Sequence, residues 1–208
     1  MVIAQDTYSP ALEHEDAAWV RIATSLSAND LHAFLDDVER LYRINPLLEI
    51  SAFEPSAQSR YRLVAHNHSN GRNVDVVLAV TTMDTGLEIT YSDGLKRATN
   101  FRVEAALGGS HLFVTDVYGG SSLEERHLRA DEVDLSLNAW GRELHDYLKR
   151  WARWHRFAPW RWYMRQVWQP MKPSARRVVW MIWMISLFET VAAGVLLAVW
   201  LALRRSSA

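Results

Sequence analysis

Two histidines, His66 and His68, stand two residues apart in a stretch that alternates like a β-strand, so both rings point to one face, as metal ligands do. A stable site needs a third or fourth ligand, for which His111 or Asp116 would have to serve, and a solvated strand face is the plainer reading. Tyr91, Arg97 and Asp116 are the few polar groups that would orient a ligand inside an apolar cavity, beside the apolar or aromatic residues Phe101, Val103, Trp140 and Leu144. Packing and surface roles compete with that reading at each position. No Ser/His/Asp spacing, no Gly-rich loop leading into a helix and no paired carboxylates are visible, and Gly108-Gly109 and Gly119-Gly120 read as hairpin turns. The chain reads more as a binding module than as an enzyme, although a cyclase or aromatase activity would reside in cavity shape and leave no such motif. No metal is expected.

Glu189 is the single ionisable residue in the run Val178–Leu203, which Arg176-Arg177 and Arg204-Arg205 bound. At about 1.5 Å per residue this run is roughly 39 Å long, more than a hydrocarbon core of about 30 Å requires. It reads as a transmembrane helix. An ionised carboxylate near its middle costs several kcal/mol, so Glu189 should pair, face protein or stay protonated. Ser186, Thr190, Gly194, Ala198 and Ala202 repeat every four residues beside it, a stripe that lets a second helix approach closely. Partner transmembrane helices, from another subunit or a second copy, are therefore expected.

Charge is divided along the chain. Residues 1–141 hold eleven Lys/Arg against twenty-one Asp/Glu (net −10) and residues 142–208 hold twelve against three (net +9), which together give the formal −1. Basic charge beside a span is drawn to anionic lipid and to the cytoplasmic side. The N-terminal domain is expected there, with the C-terminus opposite. No basic n-region followed by an apolar core opens the chain, and with no cysteine it has neither disulfides nor thiolate metal ligands.

The residues between domain and span form a basic aromatic neck. Trp151, Trp154, Phe157, Trp160, Trp162, Tyr163 and Trp168 interleave with Arg153, Arg156, Arg161, Arg165 and Lys172. Trp and Tyr favour the headgroup level and Arg reaches phosphate, so Trp151, Trp154, Trp160, Arg161, Trp162 and Trp168 are expected at the membrane interface. Membrane lipids are thus the expected partner and nucleic acid is not. Pro159, Pro170 and Pro173 break the neck into one or two short helices.

The elements that must position these groups follow from periodicity. Residues 1–17 form a loosely ordered arm. Trp19–Leu26 alternates as a strand, and Leu31, Phe34, Leu35, Val38, Leu41 and Tyr42 trace one helix that Asn45-Pro46 stops. Six strands follow, Leu47–Phe53, Arg60–His68, Asn73–Met83, Leu87–Ser92, Thr99–Leu107 and His111–Tyr118, joined by turns too short for crossover helices, so the sheet is antiparallel. Its apolar face needs a cover. A helix beginning near Asp131, with Leu137, Trp140, Leu144, Leu148 and Trp151 on one side, supplies it.

Strand, helix, about six antiparallel strands and a long amphipathic helix is an order that resembles the helix-grip fold of the START-like superfamily, which includes polyketide cyclase-type and coenzyme Q-binding members. The resemblance covers about residues 18–155 and implies an α+β antiparallel sheet wrapped on the C-terminal helix, with a hydrophobic cavity between them. The single helix before Pro46 departs from the two that the family often has. The expected organisation is then a domain over 18–155, a neck over 156–177, a transmembrane helix over 178–203 and a tail over 204–208. Two functions suit it: a membrane-anchored module binding a lipid, isoprenoid or quinone, or an accessory subunit of a larger respiratory or photosynthetic membrane complex.

Overall fold

The computed structural model describes residues 17–118 and 123–206, and for the segment 123–135 and for residues 201 and 206 their backbone alone; residues 1–16 of the expected arm and the Gly119-Gly120 turn lie outside the described residues, and Ala17 opens the first strand. Strand β1 (Ala17–Thr24) buries Ile22 and leaves Arg21 and Ala23 outward. Ser27 then starts α1 (Ala28–Leu35), its hydroxyl accepting from the Asp30 amide at 3.1 Å. The run up to Pro46 is two helices, not one. Asp37 leaves helical geometry (φ −90°, ψ 78°) and its carboxylate takes the Arg40 amide at 3.1 Å, capping a new helix α2 (Val38–Ile44). Apolar spacing runs unbroken across this corner because Leu35 and Val38 are both buried on the same core.

Seven strands make one antiparallel sheet: β1, β2 (Leu48–Ala57), β3 (Arg60–Asn67), β4 (Arg72–Met83), β5 (Gly86–Tyr91), β6 (Ala98–Ala106) and β7 (Gly109–Val117). Their spatial order is β1-β7-β6-β5-β4-β3-β2, so α1 and α2 carry the chain from one sheet edge to the other. β2 does not stop at Glu54-Pro55 as expected. It continues to Ala57 because it is the edge strand, where a proline costs no ladder bond, and irregularities between Ile50 and Ala52 and between Pro55 and Ala57 take up the misfit. At the other edge Gly109 opens β7 where a Cβ would lie 2.1 Å from the Thr24 carbonyl oxygen.

Helix α3 (Leu123–Trp154) grips the concave face, eight residues longer at its start than the expected Asp131. The segment LEERHLRADEVD has few apolar residues, so no period announced it. Leu137, Trp140, Leu144, Tyr147 and Leu148 are all 3% exposed or less and meet Leu63, Leu78, Ile89, Phe101 and Leu112 in one core. Each such burial stabilises by about 1.5–3 kcal/mol. The α+β helix-grip architecture is what the chain forms.

The neck as far as Pro170 belongs to the same compact unit, and its last residues, 171–177, fall in a second unit. The first part consists of α4 (Ala158–Tyr163) and a π-helical turn, Met164–Trp168. Met164 is buried and Trp151, Trp160, Tyr163 and Trp168 pack on the domain core, with Trp151–Trp160 and Tyr147–Trp168 ring centres 5.5 and 5.4 Å apart. Three of the expected interface tryptophans, Trp151, Trp160 and Trp168, therefore turn inward, while Trp154, Phe157, Arg161 and Trp162 are exposed. Composition gave the neck its aromatic character but not its two faces.

The second unit, from Met171 on, contains α5 (Pro173–Ser206), the one helix among the described residues long and apolar enough to span a membrane. Ser186, Glu189, Thr190, Gly194 and Ala198 are exposed on it. The Thr190 hydroxyl donates to the Ser186 carbonyl at 2.8 Å, and a Cβ on Gly194 would meet nothing within 4 Å.

Candidate functional site

Where α2, β3–β5, the β5–β6 loop and α3 come together, the sheet and helix do not close. The gap is a cavity of about 410 Å³, within the range of small-molecule sites. Leu48, Leu63, Val74, Val76, Leu95 and Trp140 supply apolar wall, Tyr42, Asn45, Tyr91, Lys96 and Tyr118 supply polar groups, and Asn67, Arg72, Asn73, Asp75 and Asp93 also line it. Alternation on β3 and β4 sends Leu63, Val74 and Val76 to this face while Arg62 and Asp75 pair with each other at 2.7 Å.

The polar end is built around Asp116, which is fully buried. Its carboxylate accepts from the Lys96 ammonium, from Thr99 Oγ1 at 2.5 Å and from the Tyr118 hydroxyl at 3.2 Å. Because the single Thr99 proton goes to Asp116, the Tyr91 hydroxyl must donate to Thr99 (2.8 Å) and Tyr42 must donate to Tyr91 (2.7 Å). Four residues thus form a hydrogen-bond chain with a fixed direction. Burial, then the negative charges of its neighbours, pushes the Tyr42 hydroxyl well above the usual tyrosine value; burial also raises Tyr91, against the pull of Lys96. Burial pulls the Lys96 ammonium down, but Asp116 and Tyr91 outweigh it and hold it above the usual lysine value.

Two capacities remain at the cavity. Tyr42 has spent its proton on Tyr91 and can still accept, and the Lys96 ammonium, 5.6 Å from the Trp140 ring centre, retains N–H groups beyond the one given to Asp116. Trp140 itself donates to the Leu41 carbonyl at 3.0 Å, which fixes its ring as wall. Replacing Tyr91 by phenylalanine should strand the buried Tyr42 proton and lower stability by about 1–3 kcal/mol, read as a shift of the urea midpoint followed by tryptophan fluorescence.

Of the six residues expected to bind ligand, Tyr91 and Trp140 line the cavity. Phe101, Val103 and Leu144 are core behind it, and Asp116 acts through Lys96 and Thr99. Arg97 is exposed and does not line the cavity, whereas its neighbour Lys96 and Arg72 do. Tyr42, Lys96 and Tyr118 were not foreseen: the spacing of Tyr42 marked it as helix core, and nothing in the spacing of Lys96 or Tyr118 marked them as cavity residues. His66 and His68 face each other with ring centres 4.9 Å apart, but one contacts Asn73 at 2.8 Å and the other Glu49 at 3.1 Å. His111 and Asp116 sit on β7, four strands away from β3, and cannot complete a metal site with them.

Neither a family model nor a curated relative matches the sequence. Solved structures similar to the chain include a START superfamily protein from Mycobacterium smegmatis (17% identity, 64% of this chain and 94% of that one, TM-score 0.48). Others are a protein from Arthrobacter aurescens (12% identity, 71% and 92%, TM-score 0.48) and a conserved protein from Geobacillus kaustophilus (12%, 64% and 93%, TM-score 0.47).

Proposed function

We propose that the protein is a membrane-tethered module that binds one amphipathic small molecule, a lipid, isoprenoid or quinone, in the cavity between sheet and α3. The observation that supports this reading is the cavity's mixed lining: apolar wall from Leu48, Leu63, Val74 and Val76, together with the Lys96 ammonium and the Tyr42 hydroxyl, which one hydrogen-bond network through Asp116 links. A molecule with a hydrocarbon body and a carbonyl or hydroxyl head suits that arrangement, since Lys96 donates to the first and Tyr42 accepts from the second. A quinone ring with a prenyl tail has both parts. The helix α5 would hold the module at a bilayer, where such molecules reside, and so raise its local concentration without any new contact. The basic residues flanking the span support a cytoplasmic domain.

The test is extraction of the full chain in a non-ionic detergent, followed by identification of what stays bound. Native mass spectrometry should show a hydrophobic molecule near stoichiometry, and Val74→Trp, which fills the cavity, should remove it with the unfolding midpoint kept. Retention of the molecule by that variant would place it elsewhere and defeat the reading.

A second reading, an accessory subunit of a membrane complex, draws support from the exposed stripe of Ser186, Gly194 and Ala198 beside Glu189. Gly194→Leu should then release partner polypeptides that co-purify with the unaltered chain, without affecting the cavity.

A further inference from the structure

A second concavity lies at the other end of the domain, where the α1–α2 corner meets the neck. Its inner part, about 290 Å³, is lined by Asp37, Arg40, Tyr147, Trp151, Arg161 and Arg165 among others, so three guanidinium groups face one carboxylate. Arg40 is the innermost of them. Only 5% exposed, it lies between the rings of Phe34 and Trp151, its Cζ 4.1 and 4.7 Å from their centres, and gives one N–H to the Phe34 carbonyl at 2.5 Å. Asp37 stands 3.7 Å from its Nε, too far for a hydrogen bond, and that Nε is buried without an acceptor. The Tyr147 hydroxyl is buried there too, with Gln169 beside it.

The other two cations are not spent on acids. Arg161 gives one N–H to the His155 carbonyl at 2.8 Å, and Arg165 makes no hydrogen bond or ion pair among the described residues. Of the acids on the outer rim, Glu39 pairs with Arg43 at 2.6 Å and Asp30 with the Ser27 hydroxyl at 2.7 Å, while Asp36 adds a further negative charge there. Burial, together with the nearby Arg165 charge, holds the Arg40 guanidinium below its usual value against the pull of Asp37. Three guanidinium groups against one carboxylate in the inner concavity, with a buried Arg40 N–H lacking an acceptor, are the electrostatic complement of an oxyanion.

We infer that this cleft is a second binding site, one that takes a phosphate-type anion between Arg40, Arg161 and Arg165, with the Tyr147 hydroxyl as a further donor. Trp162, which lines the same cleft, is 64% exposed and Trp154 and Phe157 are exposed on the same neck. Such aromatics suit the acyl chains of a phospholipid, while a free phosphate would use the guanidinium groups alone. The site is separate from the sheet–α3 cavity and does not depend on what fills that cavity.

Calorimetric titration of the full chain in dodecyl maltoside tests it with three probes: inorganic phosphate, dihexanoyl phosphatidate, and dihexanoylglycerol, which has the same chains without the phosphate. Phosphatidate should bind with dihexanoylglycerol failing to compete, and Arg161→Gln with Arg165→Gln, both at exposed positions, should weaken binding about tenfold or more. Arg40→Lys, which keeps the charge but loses the planar fork, should also weaken it. Phosphatidate binding well above that of inorganic phosphate assigns the anion to lipid, and equal binding assigns it to free phosphate; either result supports the site. Dihexanoylglycerol binding as tightly as phosphatidate, no binding of either phosphate probe, or unchanged binding in the double variant would overturn it. Val74→Trp separates the two sites, since it should empty the first cavity and leave this titration as it was.

Discussion

Replacing Asp116 by alanine should destabilise the domain by about 3–5 kcal/mol, the usual result of stranding one member of a buried ion pair. The carboxylate has no exposed surface and holds three donors at once, from Lys96, Thr99 and Tyr118. Without it Lys96 keeps its charge in a site built to neutralise it, and the Tyr42–Tyr91–Thr99 chain loses its terminal acceptor. Urea unfolding of the full chain in detergent, followed by tryptophan fluorescence, gives the number. Pairing Asp116→Ala with Lys96→Met should recover part of the loss, because the uncompensated charge leaves with its partner. The pH dependence has a definite sign. Lys96, Tyr42 and Tyr91 all have folded-state values raised above their usual ones, so the folded protein holds those protons more tightly than the unfolded chain does. Their contribution is complete below the ordinary tyrosine and lysine values and is lost as pH rises through the raised ones. Stability should therefore fall at the alkaline end, and Asp116→Ala should flatten the part of that fall that comes from Lys96.

The same cluster marks where sequence reading reached its limit. Strands β3–β7 were legible because apolar residues recur at every second position in each, between strong turn signals such as Ser69-Asn70-Gly71, and α3 because Leu137, Trp140, Leu144 and Leu148 fall on one face. A half-buried loop lysine has no such signature. Lys96 lies in the loop Ser92–Arg97, and only the opposing position of Asp116 on β7, set by the β6–β7 register that pairs Thr99 with Asp116, reveals its role. The corner at Asp36-Asp37 was missed for a related reason: aspartate is a weak helix residue but a strong cap, and its capping use depends on where the chain turns. Pro55 shows the converse, a local breaker overruled by a position at the sheet edge. Tyr91 and Trp140, two of the residues expected to bind ligand, do line the cavity, each an aromatic on the apolar face of its element. Phe101, Val103 and Leu144 meet that criterion equally well, and only three-dimensional packing separates wall from core.

Gly86 offers the largest effect from the smallest change. It follows the two-residue turn Asp84-Thr85 and begins β5, a central strand with β4 on one side and β6 on the other. Its φ is +154°, and a Cβ built on it would lie 1.9 Å from the Phe101 carbonyl oxygen and 2.9 Å from the Phe101 carbonyl carbon. Those atoms are backbone of β6 and have no rotamer to retreat into. Gly86→Ala must either separate β5 from β6 at this end or twist the turn out of register. Phe101 and Val103, which pack under Trp140 and α3, would move with β6, so the cavity wall would be disturbed as well. Backbone strain and overpacking each cost about 1–3 kcal/mol, so a loss of roughly 2–6 kcal/mol is expected. Gly71→Ala provides the control. Its φ of +68° is also left-handed, but nothing lies within 4 Å of its Cβ, so it should cost only the conformational penalty of about 1–2 kcal/mol. Equal urea midpoints for the two variants would show that β5 and β6 are not held as closely as the structure places them; a gap of at least about 1 kcal/mol is the expected result.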